Sequence, residues 1–104
     1  MQIALTAPMT RLKEISKRLY SLDSNQSSFI HIETLFLEAL YISRENNEEL
    51  HQTEILPGLL KVKQNEYKLS QAYYRSIKSK EKYIRNFKHY FKKVLDKAIA
   101  QLPS

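Results

Sequence analysis

Leu12, Ile15, Leu19 and Leu22 recur at spacings of three, four and three, which on a helix places them on one face. Thr6-Ala7-Pro8 supplies a start for that helix, because Thr caps well and Pro fits a first turn where its missing N–H is not needed. Arg11, Lys13, Lys17 and Arg18 fall mostly off the apolar face. The polar run from Ser21 to Ser28 competes for backbone hydrogen bonds and predicts a loop, with Ser27 or Ser28 capping the second helix. From Phe29 to Ser43 the chain is apolar on nearly all sides: Phe29, Ile32, Phe36 and Leu40 form one stripe, and Leu35, Ala39 and Ile42 a second beside it. A helix of that kind is expected in the middle of a domain. Arg44 to Asn47 ends it, and Asn47 is expected to cap a short acidic helix opening at Glu48-Glu49.

Pro57-Gly58 breaks or restarts the chain. Leu59, Leu60 and Val62, continued by Leu69, Tyr73 and Ile77, predict a helix from about Pro57 to about Tyr74, although Tyr67-Lys68-Leu69-Ser70 also alternates as a strand would. In the last segment Ser79 is the expected cap, and Ile84, Phe87, Phe91, Val94, Leu95, Ala98 and Leu102 fall in one arc at 100° per residue. Lys82, Arg85, His89, Lys92 and Lys93 lie opposite, and Pro103 stops the helix. Phe36, Leu40, Phe87, Phe91 and Val94 are the expected core. A single glycine leaves almost none of the turn chemistry that hairpins need. With 42% hydrophobic and 27% charged residues, the 104-residue chain has the composition of a folded domain and not of a disordered tail. The expected fold class is all-α, a compact four- or five-helix bundle forming a single domain over residues 1–104.

The composition narrows the chemistry. No cysteine is present, so disulfides, thiolate nucleophiles and cysteine-based zinc sites are excluded. A Gly-rich phosphate loop cannot be built from one glycine, and His31, His51 and His89 belong to no spaced zinc motif. The expectation is a protein that is not an enzyme, with no metal, no cofactor and no small-molecule substrate. No apolar run approaches the length of a membrane span and Met1 to Leu12 is unlike a signal peptide, so a soluble, cytoplasmic protein is expected.

Charge is distributed unevenly. Residues 1–54 hold 5 Lys/Arg against 8 Asp/Glu, a net of −3, whereas residues 55–104 hold 12 against 3, a net of +9. In the basic half Lys61, Lys63, Arg75, Lys78, Lys80, Lys82, Arg85, Lys88, Lys92 and Lys93 are the candidate nucleic-acid-binding residues, interleaved with Tyr67, Tyr73, Tyr74, Tyr83 and Tyr90. Lysine and arginine neutralise phosphates with release of counterions, and tyrosine rings stack on unpaired bases. Solvated lysines and boundary tyrosines are the ordinary alternative. Against it, only Glu81 and Asp96 stand between Lys78 and Lys97 to neutralise the run, which leaves the cations repelling one another unless an anion approaches. No cluster of Gln, Asn and Arg opens a recognition helix, so backbone-directed binding without sequence specificity is the expectation, to DNA or RNA.

The order of features resembles the small subunit of type I CRISPR effector complexes, and in particular the helical C-terminal bundle of a type I-D large subunit. It is carried by Leu5-Thr6-Ala7-Pro8 with Leu12 and Ile15, the apolar helix around Phe29 to Leu40, Thr53-Glu54-Ile55-Leu56, and the basic helix from Lys80 to Leu102. The resemblance implies a non-catalytic subunit, present in several copies of itself beside other subunits of a ribonucleoprotein complex. Such a subunit contacts the guide–target duplex or the displaced DNA strand, while base pairing reads sequence. It transfers no contact residues. Two other readings stand beside it: a helical protein-interaction module, adaptor or inhibitor, whose basic face meets an acidic protein, and a membrane-surface helix, disfavoured because the apolar face of the last helix is needed for the core.

Overall fold

The computed structural model describes the backbone of residues 7–73 and 77–102, and side chains at 7–66 and 80–102. Thr6, Tyr74, Arg75, and the side chains of Tyr67, Tyr73 and Lys78 therefore lie outside the described residues. Five α-helices are present among them: α1 (Ala7–Ser21), α2 (Gln26–Glu45), α3 (Asn47–Leu50), α4 (Ile55–Tyr73) and α5 (Ile77–Ala100), with a 3-10 turn at His51–Thr53 between α3 and α4. The fold is an all-α bundle.

Local chemistry sets the boundaries, and several differ from the expected ones. Asn25, not Ser27 or Ser28, caps α2: its Oδ1 accepts the Ser28 N–H at 2.9 Å, and the Ser27 hydroxyl donates to the same oxygen at 2.8 Å. At the far end Asn46 closes α2 and immediately precedes α3. Its side chain donates to the Ile42 carbonyl at 2.9 Å and so caps the end of α2, not the start of α3, while Asn47 is already helical. The restart lies at Glu54, whose φ of 57° is the left-handed turn that swings the chain into α4. Pro57-Gly58 does not interrupt the helix, because Pro57 falls in its first turn. The stretch from Tyr67 to Ser70 is helical, and α5 begins two residues before Ser79.

Cross-helix contacts give the topology. Arg11 meets Glu38, so α2 runs back along α1. Ser16 meets Asp96 and Leu22 meets Lys88, so α5 is antiparallel to α1, and Phe29 and Phe36 pack on Phe87 and Phe91, so α2 and α5 run in the same direction. α4 returns along α5 in the most extensive helix pairing of the bundle. The four long helices thus alternate in direction, with α1 beside α2, α2 beside α4, α4 beside α5 and α5 beside α1, while α2 and α5 also touch across the middle.

One buried cluster fills the centre. Leu12, Ile15 and Leu19 of α1, Ile32, Phe36 and Leu40 of α2, Leu59 and Val62 of α4, and Ile84, Phe87, Phe91 and Leu95 of α5 are all buried. Edge-to-face rings at 5.1 Å (Phe36–Phe87) and 5.2 Å (Phe36–Phe91) add to the area term. Val94 of the expected core is only partly buried, because it lies at the α4 edge of α5. There the one glycine of the chain has its use: a Cβ on Gly58 would sit 2.8 Å from Val94 Cγ1, so its absence lets the two helices approach.

Candidate nucleic-acid interface

α5 carries its charges on the arc that the aromatic core forces outward. With Ile84, Phe87, Phe91 and Leu95 buried, Lys82, Arg85, His89 and Lys93 must project to solvent, and all four are exposed. From Lys82 to Lys93 the helix rises about 16 Å, which spans about five phosphates of one strand at about 3.4 Å each. Among the described residues, Lys82, Arg85 and Lys93 have no ion-pair partner.

The structure gathers some of the candidate residues on this ridge and sends others elsewhere. Lys61, from α4, joins it by lining the same cleft as Lys93. Lys97, at the α4 edge, extends it, 3.5 Å from Glu54 in an exposed pair worth little in water. Lys63 lies about 200° from Lys61 around α4 and is not part of the ridge. Lys88 and Lys92 turn toward α1: Lys88 donates to the Leu22 carbonyl at the end of that helix, and the Lys92 ammonium sits 3.6 Å from the centre of the Tyr20 ring. Both are half-buried and engaged. Lys80 is half-buried with an interaction of its own. Arg75 and the Lys78 side chain lie outside the described residues.

The acids of this region do not neutralise the ridge. Asp96 accepts the Tyr20 hydroxyl at 2.7 Å and the Ser16 hydroxyl at 3.3 Å, which ties α5 to α1 and pushes the Tyr20 phenol up from its usual range. Neither Asp96 nor Glu81 lies within ion-pair distance of a described lysine or arginine. Among the described residues the most closely bonded ion pair is elsewhere: Arg11 grips Glu38 through two bonds of 2.6 and 2.8 Å and Glu14 through one of 2.9 Å, holding the Glu38 carboxyl below the usual carboxylate range. Glu33, by contrast, is raised, by burial first and then by the neighbouring Glu66.

Two features were beyond the reach of sequence reasoning. Lys13 and Lys17, from the half with net negative charge, line a groove of about 400 Å3 together with Glu14 and Tyr20 of α1 and Ile99 of α5. Tyr83 leaves the set of stacking candidates: it is buried, with its ring 5.5 Å from that of Phe29. Tyr90 remains exposed beside Lys93.

Elsewhere on the bundle, α2 presents Ile30, Leu37 and Tyr41 to solvent at 65%, 58% and 65% exposure. The expectation that this helix is central is therefore corrected: α2 occupies a corner, and its all-round apolar character leaves an uncovered stripe. Among the described residues, no His, Asp or Glu trio gathers into a metal-holding group, and no helix is long and apolar enough to cross a membrane. No protein-family model, no curated protein and no solved structure matches the chain.

Proposed function

We propose that the chain is a non-catalytic, cytoplasmic subunit of a nucleoprotein assembly that binds nucleic-acid backbone without sequence specificity through the outer face of α5. The observation that carries this reading is the set of exposed cations Lys82, Arg85 and Lys93, without ion-pair partners among the described residues, aligned on one rigid helix and flanked by Lys61 and Lys97. Their mutual repulsion is relieved by a phosphate chain, and counterion release supplies the driving force. Ile30, Leu37 and Tyr41, exposed along one side of α2, support protein partners, further copies of the chain among them. The resemblance to the small subunit of type I CRISPR effectors adds the identity of the assembly to the proposal, with guide–target duplex or displaced strand as the ligand.

A salt titration tests the reading. With about four to six phosphates neutralised, log affinity for a random-sequence oligonucleotide falls against log salt with a slope of about −3 to −5. The same stripe on α2 also favours a second reading, in which the chain is an adaptor or inhibitor and the ridge meets an acidic protein surface. Under that reading oligonucleotide binding is weak, confined to low salt and displaced by the acidic partner.

A further inference from the structure

Between α4 and α5, where Gly58 allows Val94 to approach, lies a cleft of about 230 Å3. Its floor is apolar, from Val62 and Val94, and its rim carries Lys61, Asn65, Tyr90 and Lys93. That volume is below the usual range of about 300 to 1,000 Å3 for drug-sized ligands and suits one flat ring instead of a whole cofactor.

We propose that this cleft holds one unpaired base of a bound strand, stacked on the ring of Tyr90, with the flanking phosphates on Lys61 and Lys93. The inference rests on the nucleic-acid reading above and adds a ligand class to it: a single strand or a duplex with an extruded base. A base inside an intact duplex is paired and stacked between its neighbours, and reaches a side cleft only by leaving the stack.

The other described tyrosines are unsuited to the role. Tyr83 is buried in the core, Tyr41 stands on the α2 corner, and Tyr20 has its hydroxyl on Asp96 and one ring face covered by Lys92. Tyr90 is 43% exposed, its hydroxyl has no partner among the described residues, and its one described ring neighbour, His89, meets it edge-on at 5.5 Å. A ring in that position has a face to offer, and any base has a face to match it. Asn65 carries both a donor and an acceptor at the rim, so it accommodates base edges of either kind without selecting one.

Fluorescence anisotropy at low salt, with a labelled oligothymidine of about a dozen nucleotides and a random-sequence duplex of the same length, separates the outcomes. Tyr90→Ala is expected to weaken the single strand about tenfold, at the lower end of the range for one stacked base, and to leave the duplex unchanged, while Tyr90→Phe retains wild-type affinity for both. Photocrosslinking with a 5-bromouracil strand is expected to mark Tyr90. Unchanged single-strand affinity in Tyr90→Ala, or an equal loss for both ligands, overturns the cleft assignment. The double variant Lys82→Glu/Arg85→Glu, outside the cleft, reports on the wider reading: if it loses both ligands while Tyr90→Ala loses neither, the ridge stands and the cleft falls. Absence of binding to either ligand by the wild-type chain overturns both.

Discussion

α2 and α5 run in the same direction, touch across the centre of the bundle and share the Phe36–Phe87–Phe91 ring contacts, yet their outer faces have opposite chemistry. α5 separates its residues sharply, with aromatic and aliphatic side chains inward and Lys82, Arg85, His89 and Lys93 outward. α2 does not: Ile30, Leu37 and Tyr41 remain on the surface. A helix in a four-helix bundle needs only one apolar arc to be stable. The exposed arc of Ile30, Leu37 and Tyr41 contributes little to the isolated fold, and the like charges along α5 oppose it weakly. Under the proposed function each excess is matched from outside the chain, by a polyanion at one corner and by a protein surface at the other.

The sharpest way to break the comparison is to cut the same kind of side chain on either side of it. Phe91→Ala, at full burial on α5, is expected to cost about 3 to 5 kcal/mol in urea or thermal unfolding, and Phe36→Ala a similar amount. Leu37→Ala, one residue further along α2, is expected to change stability by no more than about 0.5 kcal/mol. Equal losses at Phe36 and Leu37 would show that α2 is covered on both sides and that the surface stripe does not exist.

Next in size is the helix approach that shapes the α4–α5 cleft. Gly58→Ala gains about 0.5 to 1 kcal/mol of helix propensity but forces Val94 aside, at an overpacking cost of about 1 to 3 kcal/mol. A net loss of about 1 kcal/mol is expected. Gly58→Ala/Val94→Ala removes the clash, so a double-mutant cycle is expected to give a favourable coupling between the two changes. Additive losses would place the helices further apart than described.

The smallest expected effects are the acid-side titrations around α2. Glu33 is raised in the folded state, so its contribution is complete below the ordinary carboxylate value and lost as pH rises through the raised one. Mild acidification therefore favours the fold through Glu33. Glu38 is lowered by Arg11, so its contribution is present above the ordinary value and lost as pH falls through the depressed one. Both groups are partly solvated, so each effect is expected to be small. Melting curves from neutral pH downward are expected to show Glu33→Gln losing the first small rise and Glu38→Gln losing the later fall.

How much of the molecule is visible in its sequence depends on which interactions are local. The core arc of α5 is legible because Ile84, Phe87, Phe91 and Leu95 repeat with the helix period and the opposite arc is charged. The burial of α2 is legible only in part: two stripes are apparent, but apolar residues in every direction leave the orientation to the neighbouring helices. The start of α2 differs from the expected one because Ser24, Asn25, Ser27 and Ser28 are all able to cap, and geometry alone selects Asn25. The ridge is legible as a charge run but not in its membership. Lys88 and Lys92 find the Leu22 carbonyl and the Tyr20 ring across 66 or more residues of chain, and no spacing rule encodes that. For the same reason, counting charge along the chain places Lys13 and Lys17 in the acidic half and misses the groove they share with α5.

The outer ridge of α5, and not net charge alone, is where the nucleic acid is proposed to bind. Lys82, Arg85 and Lys93 changed together to Glu test this, with Lys92 spared because it is engaged on Tyr20. The control is Arg18, Arg44 and Lys63 changed to Glu, an identical shift in net charge on exposed positions away from the ridge. Both variants are expected to keep their helical content and melting transition, since all six side chains are exposed. Anisotropy at low salt is expected to show binding abolished in the ridge variant and only modestly weakened in the control. Equal losses in the two, or undiminished binding by the folded ridge variant, would contradict the account.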